Sequence, residues 1–293
     1  MEFCYIMENK DIELSEKEFS MVKERIFEVA GISLSDAKRT LVISRLSKVI
    51  KKLSLNSFLD YLDFLKGSKA SKKDAQDFVN ALTTNLTRFY REDHHFDHLE
   101  NYIKQIIATK PRTSNNGKPR LRIWSAGCSS GQEPYTIAMC LYNKFPELKR
   151  WDFKILASDI DTEVLKKAAG GIYPETELAG LSANRAKMFE RPGNGTIVIP
   201  KYIRETVIFK PLNLFHKWPI KGPFDAIFCR NVAIYFDKPI QNQLFSQLSE
   251  VLAPDAFMYI GHSENVGRNN PQFSLSGKTL YQYHAPQNSR AVA

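Results

Sequence analysis

Two apolar segments of this chain each end in polar residues that are suited to chemistry. Residues 121–133 read LRIWSAGCSSGQE, an apolar run that enters a glycine-broken turn and then a helical pattern. Residues 224–236 read FDAIFCRNVAIYF, a second apolar run that ends in Arg230, Asn231 and Tyr235. In an open α/β sheet the carboxyl ends of such strands meet at a ligand crevice. The pair predicts a nucleotide-like cofactor on one side of the crevice and a reaction centre on the other.

The glycine turn of the first segment is a candidate cofactor site. Gly127 and Gly131 lie where a backbone without a Cβ atom can approach a ligand closely. The turn lacks the Gly-Lys-Ser/Thr of a phosphate-binding loop, and its spacing departs from the dinucleotide fingerprint, so a tight turn without a ligand stays open. Glu133, at the start of the next helix, can pair with a cationic amino group of a ligand or only complement the helix dipole.

A second candidate follows the next strand, where ASDID places Asp159 and Asp161 at the same crevice. An acid at this place commonly accepts hydrogen bonds from ribose hydroxyls, which predicts a cofactor with an unphosphorylated ribose. Asp161 precedes the helical segment TEVLKKAAGG and is expected to be its N-cap, which leaves Asp159 for the ligand. The distance in sequence from Gly131 to Asp159 is long for a nicotinamide site.

The elements that must position these residues alternate between strand and helix after residue 120, which predicts an α/β fold with a mainly parallel, Rossmann-like sheet. Strands are predicted at Leu121–Ala126, Phe153–Ser158, Val207–Leu212, Ala226–Cys229 and Phe257–Ile260. Helices are predicted to begin near Gln132, Thr162 and Lys238, and FSLS with TLYQYH is predicted to form an antiparallel edge hairpin.

The part of the chain before this sheet has helical periodicity and little strand pattern. A Ser-x-x-Glu capping box at Ser15 opens one helix that ends at Gly31, and SLNSFLDYLDFLKG ends at Gly67. We therefore expect an N-terminal all-helical domain over 15–83 and a linker segment with a helix over 84–118, including the surface stretch TKPRTSNNGKPR. An α/β sheet domain follows over 119–293, with a small inserted β subdomain at 172–206, where the alternation breaks.

Composition limits the class of protein. The chain has 293 residues, 43% hydrophobic content and a formal net charge of +9. No apolar run approaches the roughly 20 residues of a membrane span, and the first residues are too acidic for a signal peptide. Its four cysteines, Cys4, Cys128, Cys140 and Cys229, form no CxxC pair, so we expect a cytoplasmic protein without disulfides or a zinc site.

Part of the positive charge lies on one face of a predicted amphipathic helix at residues 36–53. Val42, Leu46, Val49 and Leu53 fall on one side of this helix, and Lys38, Arg45, Lys48 and Lys52 fall on another. A solvated lysine-rich face is the simpler interpretation. The alternative is a docking surface for an acidic partner.

Several separated motifs together resemble the CheR-type chemotaxis receptor glutamate methyltransferases, which use S-adenosylmethionine. The resemblance runs from about Glu18 to Tyr283. It is carried by TTNLTRFYREDHHF, IWSAGCSSGQEPYTIAM, ASDIDTEVL, PLNLF, GPFDAIFCRNVAIYFDK and IGHSEN. It implies transfer of a methyl group from S-adenosylmethionine to glutamate carboxylates on the cytoplasmic helices of a chemoreceptor, with S-adenosylhomocysteine as the product.

The resemblance also implies roles for individual residues. It places Arg91 and Tyr235 around the transferred methyl group as the catalytic pair. The expected cofactor-binding residues are Asn85, Thr87, Arg91, Gly127, Glu133, Asp159, Asn213, Leu214, Arg230 and Asn231. The basic helix face would then dock the acidic receptor helices. The loop PGNGT, residues 192–196, is shorter than in members that recognise a tethering tail peptide, so we expect no dependence on a tether.

Other assignments were weighed against this one. His94 and His98 share a helical face, but methyl transfer to a carboxylate needs no Lewis acid, so we expect no metal. Cys229 is expected to be buried core. The alternatives are a nucleic-acid methyltransferase, which the basic charge permits, a non-catalytic cofactor-binding adaptor, and a nicotinamide oxidoreductase. The joint presence of Arg91, Asn231 and Tyr235 argues against the adaptor, and no nucleic acid or membrane insertion is expected.

Overall fold

The computed structural model describes residues 12–109 and 111–286, so Cys4 lies outside the described residues. The chain divides into two compact units, Met1–Thr83 and Thr84–Ala293. Each unit buries a set of hydrophobic side chains. No helix in the described residues is long and apolar enough to cross a membrane.

The first unit is all-helical in its described part, as predicted. Its helices are α1 (Glu16–Ala30), α2 (Arg39–Lys52), α3 (Phe58–Lys66) and α4 (Lys72–Leu82). The predicted capping box is present: the Ser15 hydroxyl accepts a hydrogen bond from the Glu18 N–H, and the Glu18 carboxylate accepts one from the Ser15 N–H at 2.9 Å. Gly31 ends α1 in the left-handed conformation with φ +69°.

The prediction that α2 is amphipathic is confirmed, but the predicted set of buried residues is partly wrong. Val42, Leu46 and Ile50 are the buried stripe, whereas the predicted Val49 is only partly buried. The spacing of four residues keeps the stripe on one line of the helix surface. On the basic face, the Arg45 guanidinium donates hydrogen bonds to the carbonyls of Ala81 and Thr83 at the end of α4. Arg45 therefore has a structural role that the sequence did not predict.

The second unit contains a seven-stranded sheet. After α5 (His94–Ala108), its strands are β1 (Arg120–Ala126), β2 (Asp152–Asp159), β5 (Val207–Pro211), β6 (Phe224–Cys229), β7 (Leu252–Ile260), β8 (Phe273–Gly277) and β9 (Leu280–Tyr283). The order across the sheet is β5-β2-β1-β6-β7-β9-β8. The first five strands are parallel, and the predicted hairpin β8–β9 is antiparallel at one edge.

The other elements of this unit agree with the predicted starts. The longer helices are α6 (Gln132–Lys144), α7 (Thr162–Gly170) and α10 (Lys238–Glu250). Strand β7 begins five residues before its predicted start because Leu252 already pairs with Phe224, and an irregularity in the register places residues 253–256 within the strand. The stretch expected to be a surface linker contains a turn in its described part, in which Thr113 pairs with Pro119.

The inserted segment forms a separate two-stranded antiparallel sheet. Its strands are β3 (Ile172–Pro174) and β4 (Thr196–Val198), and the short helices α8 (Ala183–Ala186) and α9 (Lys201–Arg204) lie beside them in sequence. Residues 192–195 of the loop predicted to be short are exposed and lead into β4, whose Val198 also pairs with Glu190 before the loop.

The central strands are buried on both faces, as parallel strands between helices are. Leu121, Ile123, Trp124 and Ala126 of β1 are fully buried, and all six residues of β6 are buried. Phe228 stacks on Tyr259 of β7 with ring centroids 4.1 Å apart. This rigid sheet fixes the positions at which the polar strand ends emerge.

Candidate functional site

The polar residues that follow the strands meet at the carboxyl edge of the sheet. The chain leaves β1 toward β2 on one side and leaves β6 toward β7 on the other, so the strand order reverses between β1 and β6. This is the topological switch point at which open α/β sheets bind ligands. The predicted crevice therefore corresponds to the switch point between β1 and β6.

The glycine turn after β1 is closely packed from both sides. Gly127 has φ +80°, and a Cβ atom built on it would lie 2.2 Å from Cγ2 of Val232, in the loop after β6. Gly131 has φ +95°, and a Cβ there would lie 2.8 Å from the Ala168 side chain of α7. Both positions thus require glycine for close approach of protein to protein as well as for backbone conformation.

Asp159 is held at the end of β2 by backbone N–H groups. Its Oδ2 accepts a hydrogen bond from the Ser129 N–H at 2.7 Å, and its Oδ1 accepts one from the Asp161 N–H at 2.9 Å. Burial raises the pKa of this carboxyl, while the two backbone hydrogen bonds act in the opposite direction. Backbone N–H groups of Ser129, Asp161 and Ile160 use three of the four lone-pair sites at most, so Asp159 can still accept a hydrogen bond from a ligand hydroxyl.

Asp161 is the N-cap of α7, as predicted, because its Oδ1 accepts hydrogen bonds from the N–H groups of Glu163 and Val164. Its Oδ2 accepts a hydrogen bond from the Asn85 side-chain amide at 2.7 Å. The Asn85 carbonyl in turn accepts one from the Ser129 hydroxyl at 3.0 Å. Asn85 therefore ties the segment before α5 to both the glycine turn and the end of β2. Thr87 follows in this segment and is partly buried.

A buried ion-pair network lies on the β1–β6 side of the crevice. Nη1 of Arg230 donates to Oε2 of Glu133 at 3.1 Å, and its Nη2 lies 3.4 Å from Oε2 of Glu92. Nη2 also donates to the backbone carbonyl of Arg91. The Ser125 hydroxyl donates to the second oxygen of Glu133 at 2.7 Å. One arginine thus joins the loop after β6 to the start of α6 and to the segment before α5.

Charges in this network are strongly affected by burial. Burial raises the pKa of Glu133, opposed by Arg230 and by the Ser125 hydrogen bond. The pKa of Glu92 lies below its usual value because the attraction of Arg230 and the hydrogen bond from His262, at 3.1 Å, outweigh its partial burial. Nε of Arg230 is buried without a hydrogen-bond partner, whereas Oε2 of Glu92 has contacts to Arg230 and His95 that are longer than its hydrogen bonds. One guanidinium donor of the network is therefore not used by the described protein groups.

The two predicted catalytic residues lie in segments that contact each other. The Tyr235 hydroxyl donates to the Thr84 carbonyl at 3.3 Å, and Nη1 of Arg91 donates to the Leu86 carbonyl at 2.9 Å. The Arg91 side chain is about one quarter exposed. It retains guanidinium donors that can bind a carboxylate.

Strained backbone is concentrated in the same place. Seven non-glycine residues in the described part of the chain have positive φ, and four of them lie in these segments: Tyr90, Glu92, Ser129 and Asn231. Such conformations cost about 1–3 kcal/mol each and cluster at functional sites. Their concentration here supports the crevice as the candidate site.

Asn213 and Leu214 follow β5, on the β2 side of the sheet. The Asn213 side-chain oxygen accepts a hydrogen bond from the Phe215 N–H at 3.0 Å, which forms an Asx turn. Leu214 is buried in the same core as Trp124. These two predicted residues therefore lie on the same edge of the sheet as Asp159, whose carbonyl accepts the Leu212 N–H.

Sequence reasoning missed two carboxylates of this site. Glu92 lies in the motif TTNLTRFYREDHHF, but no function was predicted for it. Glu264, in the motif IGHSEN, accepts four backbone hydrogen bonds from the loops after β6 and β7. An acid inside an otherwise polar motif was the available signal, but its partners are distant in sequence.

The histidines near the site have protein partners. His95 is fully buried beside Thr279, with Nε2 to Oγ1 at 2.8 Å, and burial lowers its pKa to about 2. Nδ1 of His98 lies 3.0 Å from the Tyr259 hydroxyl oxygen, and Nε2 of His94 lies 3.2 Å from the Lys278 carbonyl oxygen. Within the described residues, no group of three or more His, Cys, Asp or Glu side chains could hold a metal ion. Cys229 is fully buried, as predicted.

The donor set fits a cofactor that carries both ribose hydroxyls and a cationic amino-acid end. Asp159 offers carboxylate lone pairs at the end of β2, and Glu133 offers a second carboxylate at the start of α6. The Arg230 guanidinium pairs with Glu133 and has one buried Nε–H without a hydrogen-bond partner. Carboxylates at these two positions suit the positive charge and the hydroxyls of S-adenosylmethionine better than a dinucleotide pyrophosphate.

Comparison with known proteins gives two family matches. Residues 17–83 match the family described as "CheR methyltransferase, all-alpha domain", and residues 85–282 match "CheR methyltransferase, SAM binding domain". The probable chemotaxis protein methyltransferase of Rhizobium etli is 41% identical, covering 88% of this chain and 96% of the relative. The chemotaxis protein methyltransferase of Escherichia coli is 40% identical over 92% and 91%. Chemotaxis protein methyltransferase 2 of Pseudomonas aeruginosa is 39% identical over 93% and 95%.

Proposed function

The chain belongs to the CheR methyltransferase family, and we propose that it methylates glutamate side chains on the cytoplasmic helices of a chemoreceptor, with S-adenosylmethionine as methyl donor. The observation that carries the proposal is the convergence of Glu133, Asp159 and Arg230 at the switch point, beside Arg91 and Tyr235. One crevice thus contains carboxylates for a cationic donor and a cation for an anionic acceptor.

The reaction makes few demands on acid–base catalysis. S-adenosylmethionine supplies a methyl group on a positively charged sulfur, which leaves as a neutral thioether. A glutamate carboxylate is already ionised at neutral pH, so its attack needs no general base. The protein must instead align the carboxylate oxygen with the methyl group, and alignment alone can supply several kcal/mol of the rate enhancement.

The residues of the crevice divide this work. Asp159 would accept hydrogen bonds from the ribose hydroxyls, and Glu133 would meet the amino group of the methionine portion. Asn213 and Leu214 would lie beside the adenine. Asn85, Thr87 and Gly127 would bind the donor from the segment before α5 and from the glycine turn.

Arg91 and Tyr235 would handle the acceptor. The Arg91 guanidinium, whose Nε lies 4.0 Å from Oε1 of Glu92, would orient the incoming carboxylate through its remaining donors. Strong pairing would weaken the nucleophile, so the partial exposure of Arg91 favours orientation over activation. Tyr235 would position the methyl group, and Arg230 with Asn231 would form the wall near the sulfur. The buried Arg230 side chain supports this wall because Glu133 and Glu92 both pair with it.

The receptor would be bound through the basic face of α2. Lys48 and Lys52 are exposed on that face, and Lys38 is exposed in the 3-10 turn directly before α2. These lysines can attract acidic receptor helices. Arg45 contributes less to docking than its position suggests, because its guanidinium is bound to the carbonyls at the end of α4. The short exposed loop that leads into β4 supports recognition without a tail peptide.

The experiment is methyl transfer from labelled S-adenosylmethionine to a receptor cytoplasmic fragment. A glutamate methyl ester releases its label as methanol in mild base, whereas methylated amines and thiols do not. A fragment with Gln at the modified positions is the acceptor control. Asp159→Asn, which retains the size of the side chain, is the donor-site control.

The outcomes separate the candidate functions. Base-labile label on the receptor, absent with the Gln fragment, is the expected result. Base-stable label, or label only in added nucleic acid, would refute glutamate esterification. Tight binding of S-adenosylmethionine without transfer to any receptor fragment would favour the adaptor.

A further inference from the structure

Glu264 accepts four backbone hydrogen bonds, although its side chain was given no role in the reaction. Its Oε2 accepts the N–H groups of Asn231 at 2.8 Å and of Gly261 at 2.6 Å. Its Oε1 accepts those of Val232 at 2.8 Å and of Ile234 at 3.3 Å. Glu264 is 9% exposed, and no lysine, arginine or histidine of the described residues forms an ion pair with it. We call this carboxylate with its four N–H donors the Glu264 clasp.

The clasp joins the loops that follow two neighbouring strands. Asn231, Val232 and Ile234 follow β6, whereas Gly261 and Glu264 follow β7. The loops also touch directly, because a Cβ atom on Gly261 would lie 2.4 Å from the Asn231 side-chain nitrogen. Gly261 and Glu264, both in the motif IGHSEN, therefore contact the same short backbone segment after β6.

That piece of backbone carries the residues assigned to methyl transfer. Asn231 is a non-glycine residue with φ +59°, a conformation that persists only where its surroundings impose it. Val232 packs on Gly127 of the glycine turn, and Tyr235 reaches the Thr84 carbonyl. Fixing the N–H groups of residues 231, 232 and 234 thus sets the distance between the glycine turn and Tyr235.

We propose that Glu264 is a positioning residue for methyl transfer: its carboxylate fixes the loop after β6, and through that loop it places Tyr235 and Arg230 at the crevice. The kinetic part of this inference rests on the proposed function. A carboxylate is required because each oxygen accepts two N–H groups. In Glu264→Gln, one oxygen becomes an amide NH₂ that faces two N–H donors, so two hydrogen bonds are lost.

The first test needs no activity. We expect Glu264→Gln to accelerate amide hydrogen exchange in peptides covering residues 229–236 and 258–264. Asp225→Asn is the matched control, because Asp225 is a buried carboxylate at the other end of β6 that accepts the Arg122 N–H at 2.7 Å. Asp225→Asn should leave exchange in both peptides unchanged. Unchanged exchange in Glu264→Gln would overturn the clasp.

The second test separates positioning from folding by a double-mutant cycle on kcat at saturating donor and receptor. A misplacement of about 1 Å can cost on the order of a hundredfold, so we expect Glu264→Gln to lower kcat by roughly 10- to 100-fold. In a Tyr235→Phe background the same change should lower kcat by a clearly smaller factor, because one of the two groups it places is already altered.

A purely structural role would lower kcat by the same factor in both backgrounds, and that result would overturn the positioning role. Absence of methyl transfer by the unmodified protein would refute the proposed function instead. The exchange measurement would still decide whether Glu264 fixes the loop.

Discussion

The requirement for glycine at position 127 can be divided into a backbone part and a packing part. Gly127 and Gly180 have almost the same φ, +80° and +81°. A Cβ on Gly127 would lie 2.2 Å from Cγ2 of Val232, whereas a Cβ on Gly180 would meet nothing within 4 Å. Gly180→Ala therefore measures the backbone cost alone, and Gly127→Ala measures that cost together with the clash.

The expected magnitudes follow from these two surroundings. The left-handed conformation costs an alanine about 1 kcal/mol, so Gly180→Ala should reduce the free energy of unfolding by about that amount. Overpacking costs about 1–3 kcal/mol, so Gly127→Ala should reduce it by about 2–4 kcal/mol. Val232→Ala alone should cost about 1 kcal/mol from lost burial. In Gly127→Ala/Val232→Ala the clash is gone, and the total should be about 2 kcal/mol instead of an additive 3–5 kcal/mol.

Tryptophan fluorescence during urea or thermal unfolding is the suitable assay. All three tryptophans, Trp124, Trp151 and Trp218, lie in the unit from Thr84 to Ala293, so their signal reports that unit. For a unit of this size, 1 kcal/mol corresponds to about 2–4 °C in Tm. Equal losses in Gly127→Ala and Gly180→Ala, or an additive double variant, would refute the argument that Val232 imposes glycine at position 127.

Three further predictions concern the cofactor, the receptor and pH. In calorimetry, Glu133→Gln should weaken binding of S-adenosylmethionine but not of methylthioadenosine, which lacks the amino-acid end. Asp159→Asn should weaken binding of both compounds. An equal effect of Glu133→Gln on the two compounds would contradict the assignment of Glu133. Lys48→Glu/Lys52→Glu should raise the KM for receptor and leave the Kd for the cofactor unchanged. The control Lys66→Glu/Lys69→Glu reverses the charge of two exposed lysines outside α2 and should change neither the KM nor the Kd. The fold holds His95 neutral by lowering its pKa from 6.5 to about 2, so the unfolded chain binds the extra proton below pH 6.5 and stability falls as the pH decreases. Between pH 6.5 and 5 the free energy of unfolding should fall by about 2 kcal/mol from this cause. In unfolding experiments, His95→Gln should remove this dependence on pH. An unchanged dependence of the unfolding free energy on pH would show that His95 is not the group responsible.

Much of the sheet, and which polar groups stand at its carboxyl edge, could be predicted from the sequence because their signals are local. A strand reveals itself by a short apolar run, a helix start by its cap, and a turn by glycine. The starts at Gln132, Thr162 and Lys238 and the N-cap role of Asp161 were therefore correct. Gly127, Glu133 and Asp159 came together because parallel topology brings the carboxyl ends of strands to one edge.

Contacts between distant segments were decided only by the tertiary structure. Arg45 appeared to belong to a basic surface, but its partners are the carbonyls at the end of α4. Glu92 and Glu264 were visible as acids within motifs, but nothing local showed that one pairs with Arg230 and the other holds four N–H groups. The buried stripe of α2 includes Ile50 because packing, more than periodicity, chooses among neighbouring apolar positions. The sequence by itself determined which elements form and which chemical groups stand at their ends, since both depend on short-range patterns. The fold decided which groups are paired, because a hydrogen-bond partner is set by distance in space and not by distance along the chain.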